Sequence, residues 1–235
     1  MKESENLVKN HKPVLPFINY CTTEETNICP CKILVVSPHQ MDEAVACAGT
    51  ILKYAREKAH IEILYCSHID FEKMKESEKA ASLLGSYKNH FMQFPKNSLA
   101  FNKNLESSLE MIINKVNPDI AFFPYWISRY CDGIAIAKTF LKISENINLD
   151  FTIYAYSVWS ALIPNCIFDI SKEWETKKKI IDCYSYEKKV LDYLKIAQGI
   201  NQYWGQIISP NFQYAEAFFK CSARDYISLG QQILK

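Results

Sequence analysis

Short apolar runs alternate along the chain with longer segments whose apolar residues recur at helical spacing. The first run, Lys32–Pro38 (KILVVSP), ends at a proline and predicts a buried parallel strand. The next segment, residues 42–58, places Val45, Ile51 and Leu52 at helical spacing and predicts a helix. Further strands are predicted at 61–67, 91–94, 119–125 and 151–159. Further helices are predicted at 71–84, 99–116 and 132–143, and one or two helices at 172–202.

Strands that alternate with helices predict right-handed βαβ units. The expected fold class is therefore α/β, with a single Rossmann-like domain whose mostly parallel sheet is flanked by helices. Residues 1–31 show no clear period and include Pro13 and Pro16, so we expect an N-terminal extension before one domain at 32–235. The last thirty residues are expected to add a peripheral strand or helix, and Gly85 to end the helix at 71–84.

Composition narrows the class of protein. The 235 residues carry a formal net charge of +1, which argues against a nucleic-acid or membrane-surface partner because such proteins show a basic excess. The nine cysteines include no CxxC pair, and the N-terminus has no secretory apolar segment. We therefore expect reduced thiols and a cytoplasmic location. No apolar run approaches the roughly 18 residues that a membrane span needs.

Polar residues follow the first predicted strand directly. His39 and Asp42 lie three residues apart at a strand-to-helix turn, and ligands bind beyond the carboxyl ends of strands in open α/β sheets. Imidazole and carboxylate are both zinc ligands, so the pair indicates a metal site. The alternative is that Asp42 and Glu43 only stabilise a helix N-terminus and that His39 is a capping or core residue.

Residues 33–50 (ILVVSPHQMDEAVACAGT) resemble the opening motif of the LmbE/PIG-L carbohydrate de-N-acetylase family. In that motif a strand precedes His-Pro-Asp-Asp-Glu and a glycine-rich helical segment. Other similar stretches follow in the family's order: Lys73 to Gly85, Tyr156 to Trp159, Ile180 to Tyr186 and Tyr214 to Phe218. The chain is therefore identified as a divergent member of this family, and an LmbE-like fold is expected.

The resemblance implies metal-assisted hydrolysis of an amide, usually with zinc held by two histidines and an aspartate while a second aspartate acts as general base. His39 and Asp42 match two of the metal ligands. The general base falls on Met41, whose thioether cannot accept a proton at neutral pH. The motif's proline is replaced by Gln40.

The family's second cluster, His-Pro-Asp-His, is matched best by Tyr130-Cys-Asp-Gly133. The third metal ligand then falls on Gly133 and the other histidine on Tyr130, whereas Asp132 is kept. Lys73 replaces the arginine expected to hold substrate and loses its bidentate fork. We therefore expect a pseudoenzyme in which zinc deacetylation has given way to ligand or partner binding, or to different small-molecule chemistry.

The alternative is a metal-dependent amidohydrolase with a rebuilt site, in which His68 or Cys131 joins His39 and Asp42. Cys131 could instead be a nucleophile near a helix N-terminus. Tyr130 is a candidate proton donor or substrate contact, and Asp132 is either a helix N-cap or an orienting carboxylate.

The expected ligand under either hypothesis is a small N-acyl sugar-like molecule. Its predicted contacts are Lys73, Gln40 and Met41. No nucleic-acid or membrane partner is expected, and an oligomer or a protein partner stays an open alternative.

Overall fold

The computed structural model describes residues 31–67, 70–160, 162–185, 191–209 and 211–234. Within these ranges seven strands form a sheet in the order β3-β2-β1-β4-β5-β7-β6. The strands are β1 Lys32–Ser37, β2 His60–Ser67, β3 Lys88–Phe94, β4 Ile120–Pro124, β5 Thr152–Tyr156, β6 Cys166–Asp169 and β7 Ala215–Ser222. Strand β7 runs antiparallel to β5 and β6, and the pairings from β3 to β5 are parallel. The predicted α/β class with a mostly parallel sheet is confirmed.

Helices cover both faces of this sheet. In the described ranges they are α1 Asp42–Ala46, α2 Ala48–Arg56, α3 Phe71–Leu84, α4 Leu105–Val116, α5 Cys131–Lys142, α6 Trp174–Asp182, α7 Tyr193–Ile208 and α8 Ala223–Ile233, with a 3-10 turn at Leu99–Phe101. None of these helices is both long and apolar enough to cross a membrane.

Residues 33–36 of the central strand β1 are all apolar because both faces of the strand are buried. Ile33 and Val35 pack into one core cluster, and Leu34 and Val36 pack into the cluster on the opposite face. All four side chains are fully buried, because helices cover both faces of the parallel sheet.

The single helix predicted at 42–58 is wrong, because the chain breaks at Cys47 into α1 and α2. The carboxylate of Glu216 accepts hydrogen bonds from the backbone N–H groups of Gly49 (2.8 Å) and Thr50 (2.7 Å). These N–H groups lie in the first turn of α2, where no helical carbonyl is available to them. A distant side chain therefore gives α2 an N-terminus of its own.

Other boundaries also differ from the prediction. The strand predicted at 151–159 ends at Tyr156, since Ser157 Oγ bonds both the N–H (3.1 Å) and the carbonyl (2.9 Å) of Ser160 and closes a turn. The segment 172–202 contains α6 and most of α7, in agreement with the prediction of one or two helices, whereas the short strand β6 was not predicted. Gly85 ends α3 as expected, with φ of 77°.

Candidate functional site

A pocket open to solvent lies beyond the carboxyl ends of β1, β4 and β5. Strands β2 and β3 extend the sheet on one side of β1 and β4 extends it on the other, so the pocket lies where the strand order reverses. Its lining residues include His39, Asp42, Tyr130, Gly133, Ser157 and Trp159. Two predicted regions, the ends of β1 and β4, therefore meet in one site.

His39 is held through both nitrogens of its ring. Its Nε2 lies 2.8 Å from Asp132 Oδ2, and its Nδ1 lies 3.6 Å from Asp42 Oδ2. The backbone N–H of His39 also donates to Asp42 Oδ2 (3.0 Å). Burial alone would lower the pKa of His39, but its hydrogen bonds with Asp132 and Asp42 outweigh burial and raise the pKa to about 9. At neutral pH the ring is a cation, and a metal would have to displace a proton from it.

Asp132 lies behind His39, in the first turn of α5, and is fully buried. Besides His39, it accepts hydrogen bonds from the backbone N–H groups of Asn97 (2.6 Å) and Leu99 (3.0 Å). Burial acts to raise the pKa of Asp132, yet the bonds from His39 and the two amides hold it below its usual value. The side chain is therefore an ionised carboxylate that orients His39.

Met41 occupies the position of the family's general base, but its side chain packs into the core and is 2% exposed. Gln40 is buried as well, and neither residue lines the pocket. Met41 has φ of 79°, a left-handed conformation that is strained for methionine and better tolerated by aspartate or asparagine. The backbone at position 41 thus keeps a conformation that suits aspartate.

Among the described residues that line this pocket, two side chains, His39 and Asp42, are typical metal ligands. His39 Nδ1 and Asp42 Oδ2, 3.6 Å apart, are close enough to bind one ion, and Asp132 orients the histidine as a carboxylate does in many zinc sites. Gly133 occupies the position at which the family resemblance predicts a third metal ligand. A Cβ added there would lie 3.4 Å from Ser128 Oγ. Among the described residues, no three His, Cys, Asp or Glu side chains form a metal-binding group. The described residues of the pocket therefore do not fit a zinc site with three protein ligands.

Tyr130 and Trp159 form an aromatic wall beside His39. The Tyr130 ring meets His39 edge to face at a centroid distance of 6.1 Å and meets Trp159 in the same way at 5.2 Å. Such a wall suits the apolar face of a sugar ring or a flat molecule.

Two other predicted residues, Cys131 and Lys73, do not line the pocket. Cys131 is exposed, with its Sγ 3.9 Å from Asp132 Oδ1. Lys73 lies on α3 with its Nζ 3.7 Å from Asp70, and it does not line the pocket. His68 lies outside the described residues.

Two buried hydrogen-bond networks around the site were not predicted by the sequence analysis. Glu43 accepts hydrogen bonds from the hydroxyls of Ser37 (3.0 Å), Tyr65 (3.2 Å) and Tyr184, and burial raises its pKa to about 7. No local pattern could have revealed the two tyrosines, which lie 22 and 141 positions from Glu43 in the chain.

The second network is an ion pair. Lys177 Nζ donates to Glu216 (2.6 Å) and to the carbonyl of Val45 (2.7 Å), and both charged side chains are fully buried. The only sequence signal for it was the resemblance at Tyr214–Phe218, which contains Glu216.

Comparison with known proteins agrees with this geometry. Residues 34–143 match the family model PIG-L, described as GlcNAc-PI de-N-acetylase, and this stretch carries His39, Asp42 and Asp132. The predicted resemblance to this family is confirmed over residues 34–143. A comparison with curated proteins finds no significant match.

Solved structures of several proteins share the fold. The conserved protein TT1542 from Thermus thermophilus is 20% identical, with a TM-score of 0.70 over 80% of this chain and 94% of that one. The N,N′-diacetylchitobiose deacetylase from Pyrococcus horikoshii is 20% identical, with a TM-score of 0.69 over 83% and 86%. A 4-carboxy-2-hydroxymuconate hydratase from Pseudomonas putida KT2440 is 17% identical, with a TM-score of 0.62 over 80% and 95%. The chain therefore has a deacetylase-like fold.

Proposed function

We propose that the protein binds a small N-acyl sugar-like molecule and does not hydrolyse it by the zinc-dependent route. One observation carries the proposal: Gly133 lines the pocket where a third metal ligand would stand, so His39 and Asp42 are the only two metal donors there among the described residues. Zinc sites in proteins usually have three or four protein ligands. The position of the general base is also taken by Met41, which is buried in the core.

The pocket offers such a ligand two kinds of contact. Nε2 of the His39 imidazolium is bonded to Asp132, but its Nδ1–H, 3.6 Å from Asp42 Oδ2, can donate a charged hydrogen bond to a polar oxygen, such as the carbonyl of an acyl group. Tyr130 and Trp159 provide aromatic faces against which a sugar ring can pack. The first contact needs the buried carboxylate of Asp132, since it fixes the orientation of His39.

The fold alone does not select hydrolysis. One of the proteins that share it is described as a hydratase, and one fold commonly hosts several reactions. A pocket of this fold that binds ligand or performs a different reaction is therefore consistent with its relatives.

A metal-dependent amidohydrolase is the second candidate. It is favoured by the placement of Asp132 against Nε2 of His39 while Nδ1 faces Asp42, because metal-bound histidines are usually oriented by a carboxylate in this way. The third ligand would then be His68, or Cys131 after a local shift.

Metal content per folded chain separates the two candidates. Zinc is measured by mass spectrometry after purification without chelator, in the wild type and in Asp42→Ala. The proposal expects no more zinc in the wild type than in Asp42→Ala. Near one equivalent in the wild type, lost in the variant, would favour the amidohydrolase.

The double variant Met41→Asp/Gly133→His is the matched positive control. It restores the missing donor in a position where Ser128 and Pro124 leave a Cβ at ordinary contact distance. We expect it to bind close to one equivalent of zinc. Zinc binding by this variant and not by the wild type would trace the loss to these two positions.

Ligand binding is tested with methyl N-acetyl-β-glucosaminide in a calorimetric titration, with acetate release followed in parallel while zinc is supplied. We expect saturable binding without acetate, weakened about tenfold or more in His39→Ala. Acetate release that disappears in His39→Ala would support the second candidate. The absence of both binding and release would contradict both candidates.

A further inference from the structure

The chain has six glycines, and the surroundings of four of them explain why glycine is needed. These four have positive φ or would place a Cβ less than 3.0 Å from a neighbouring atom: Gly49, Gly85, Gly205 and Gly230. Gly133 and Gly199 differ, because a Cβ added to either would meet no described atom outside its own helix closer than 3.4 Å. Packing and backbone conformation therefore leave these two glycines unexplained.

Gly133 lies in the first turn of α5 and lines the site pocket. An added Cβ would lie 3.4 Å from Ser128 Oγ and 3.6 Å from Pro124 Cβ, so alanine would fit there without a clash. Glycine nevertheless weakens a helix relative to alanine. The missing side chain leaves a space in the pocket wall between Ser128 and Pro124, here named the Gly133 subsite.

Ser128 gives this subsite a hydrogen-bond donor. Its Oγ accepts a hydrogen bond from the backbone N–H of Tyr130 (3.1 Å), and a serine hydroxyl also has one proton to donate. Among the described residues, this proton has no acceptor. The other serine of the pocket wall, Ser157, already donates to the carbonyl of Ser160 and accepts from its N–H. Ser128 is therefore the pocket serine whose proton is left for a ligand.

The Gly133 subsite lies next to His39 and has room for a group of about the size of a methyl. Gly133 directly follows Asp132, whose carboxylate lies 2.8 Å from Nε2 of His39. An oxygen atom at the position of the missing Cβ would need to move about 0.6 Å toward Ser128 Oγ to reach the usual O–H···O distance of about 2.8 Å. The surroundings therefore suit a hydroxyl group on a short carbon chain.

We propose that the Gly133 subsite binds a hydroxyl group on the acyl chain of the ligand, so that the pocket prefers an N-glycolyl to an N-acetyl sugar. This rests on the proposed function, in which the acyl carbonyl accepts a hydrogen bond from Nδ1–H of His39. A glycolyl group exceeds an acetyl group by one oxygen atom, which matches the space of the missing Cβ. The hydroxyl accepts a hydrogen bond from Ser128 and lies where the family resemblance predicts a third metal ligand.

Three ligands test the subsite by calorimetric titration of the full chain: methyl N-acetyl-, N-propionyl- and N-glycolyl-β-glucosaminide. The propionyl group has the size of the glycolyl group without its hydroxyl, so it separates the effect of space from that of the hydrogen bond. We expect the glycolyl compound to bind at least about fivefold more tightly than each of the others, because it gains one hydrogen bond. Equal binding of the glycolyl and propionyl compounds would overturn the role of Ser128 and with it the proposal.

Gly133→Ala fills the subsite with a methyl group, and we expect it to reduce the ratio of glycolyl to acetyl affinity from about fivefold to about one. Gly199→Ala is the matched control, since it makes the same change in α7, where an added Cβ would meet no described atom within 4 Å, and it should keep the ratio. Both variants should unfold at or slightly above the wild-type temperature, because alanine favours a helix. A midpoint more than about 3 °C lower for Gly133→Ala would show that packing requires this glycine and would overturn the proposal.

The same titrations separate the failure of the subsite from the failure of the proposed function. Binding of all three compounds with equal affinity, or an unchanged preference in Gly133→Ala, would overturn the subsite and leave the proposed function standing. If none of the three compounds binds to the wild type, the proposed function fails and the subsite fails with it.

Discussion

Asp132 and Glu216 are two buried carboxylates with the same kind of partners and different surroundings. Each accepts hydrogen bonds from two backbone N–H groups and one cationic side chain, which is His39 for Asp132 and Lys177 for Glu216. His39 lines the pocket, whereas Lys177 is fully buried and donates a further hydrogen bond to the carbonyl of Val45. The hydrogen-bond pattern alone therefore does not identify a functional carboxylate. What distinguishes Asp132 from Glu216 is that its cationic partner lines a pocket.

The internal pair has a structural consequence for the pocket. Glu216 holds the start of α2 and Lys177 holds the end of α1, so together they fix the break at Cys47. Because α1 also carries Asp42, the ion pair of Lys177 and Glu216 helps to position Asp42 in the pocket.

The largest expected effect comes from breaking the internal pair. Lys177→Met leaves the Glu216 charge buried without its cation, and we expect the free energy of unfolding to fall by about 3–5 kcal/mol. Urea unfolding at pH 7 measures it. The double variant Lys177→Met/Glu216→Gln should lose less than the sum of the two single variants, because neither charge is left alone. A loss below about 1 kcal/mol for Lys177→Met would contradict the role of the pair.

The pocket pair should make stability depend on pH. The folded state raises the pKa of His39 from 6.5 to about 9, so the stabilisation is fully present below pH 6.5 and is lost as pH rises through 9. The free energy of unfolding should fall by up to about 3 kcal/mol across this window. Urea unfolding at several pH values measures the slope.

His39→Gln is the control for this slope. It should remove most of the fall between pH 6.5 and 9 and leave the fall between about pH 4.5 and 7 that the raised pKa of Glu43 predicts. Equal slopes for the wild type and His39→Gln above pH 7 would contradict the assignment.

Neutralising Asp132 sharpens the comparison further. Asp132→Asn keeps the shape of the side chain but removes the charge behind His39, and we expect a loss of about 1–3 kcal/mol in the free energy of unfolding at pH 7. The pKa of His39, followed by NMR, should drop well below 9. Asp42→Asn should lower it less, because Nδ1 of His39 is 3.6 Å from Asp42, whereas its Nε2 is 2.8 Å from Asp132. A larger shift in Asp42→Asn would reverse this ranking.

The sequence allowed prediction of the features that depend on nearby residues. The apolar run of β1, the end of α3 at Gly85 and the three-residue spacing of His39 and Asp42 are all local, and the structure places them as expected. The order of motifs along the chain was enough to find the family match over residues 34–143.

The features that sequence analysis missed depend on distant residues. The break at Cys47 is imposed by Glu216, which lies 167 positions from Gly49 in the chain. Met41 is buried and has a left-handed backbone conformation, which no residue preference for methionine predicts. The solvent-open hollow next to the site pocket is formed by residues of α1, the turn after β5 and α7, which are far apart in the sequence.

The smallest expected effect concerns the cysteine beside each carboxylate. Cys131 is exposed next to Asp132, whereas Cys47 is buried near Glu216, where burial and the nearby carboxylate raise the pKa of its thiol well above the usual value. We expect iodoacetamide to label Cys131 and to leave Cys47 unmodified in the folded protein. Cys131→Ser should change the free energy of unfolding by no more than about 0.5 kcal/mol and leave binding of methyl N-acetyl-β-glucosaminide unchanged. Loss of that binding in a stable Cys131→Ser variant would give the thiol a direct role in the pocket. Labelling of Cys47 would show that the region around the internal pair opens more readily than the pocket.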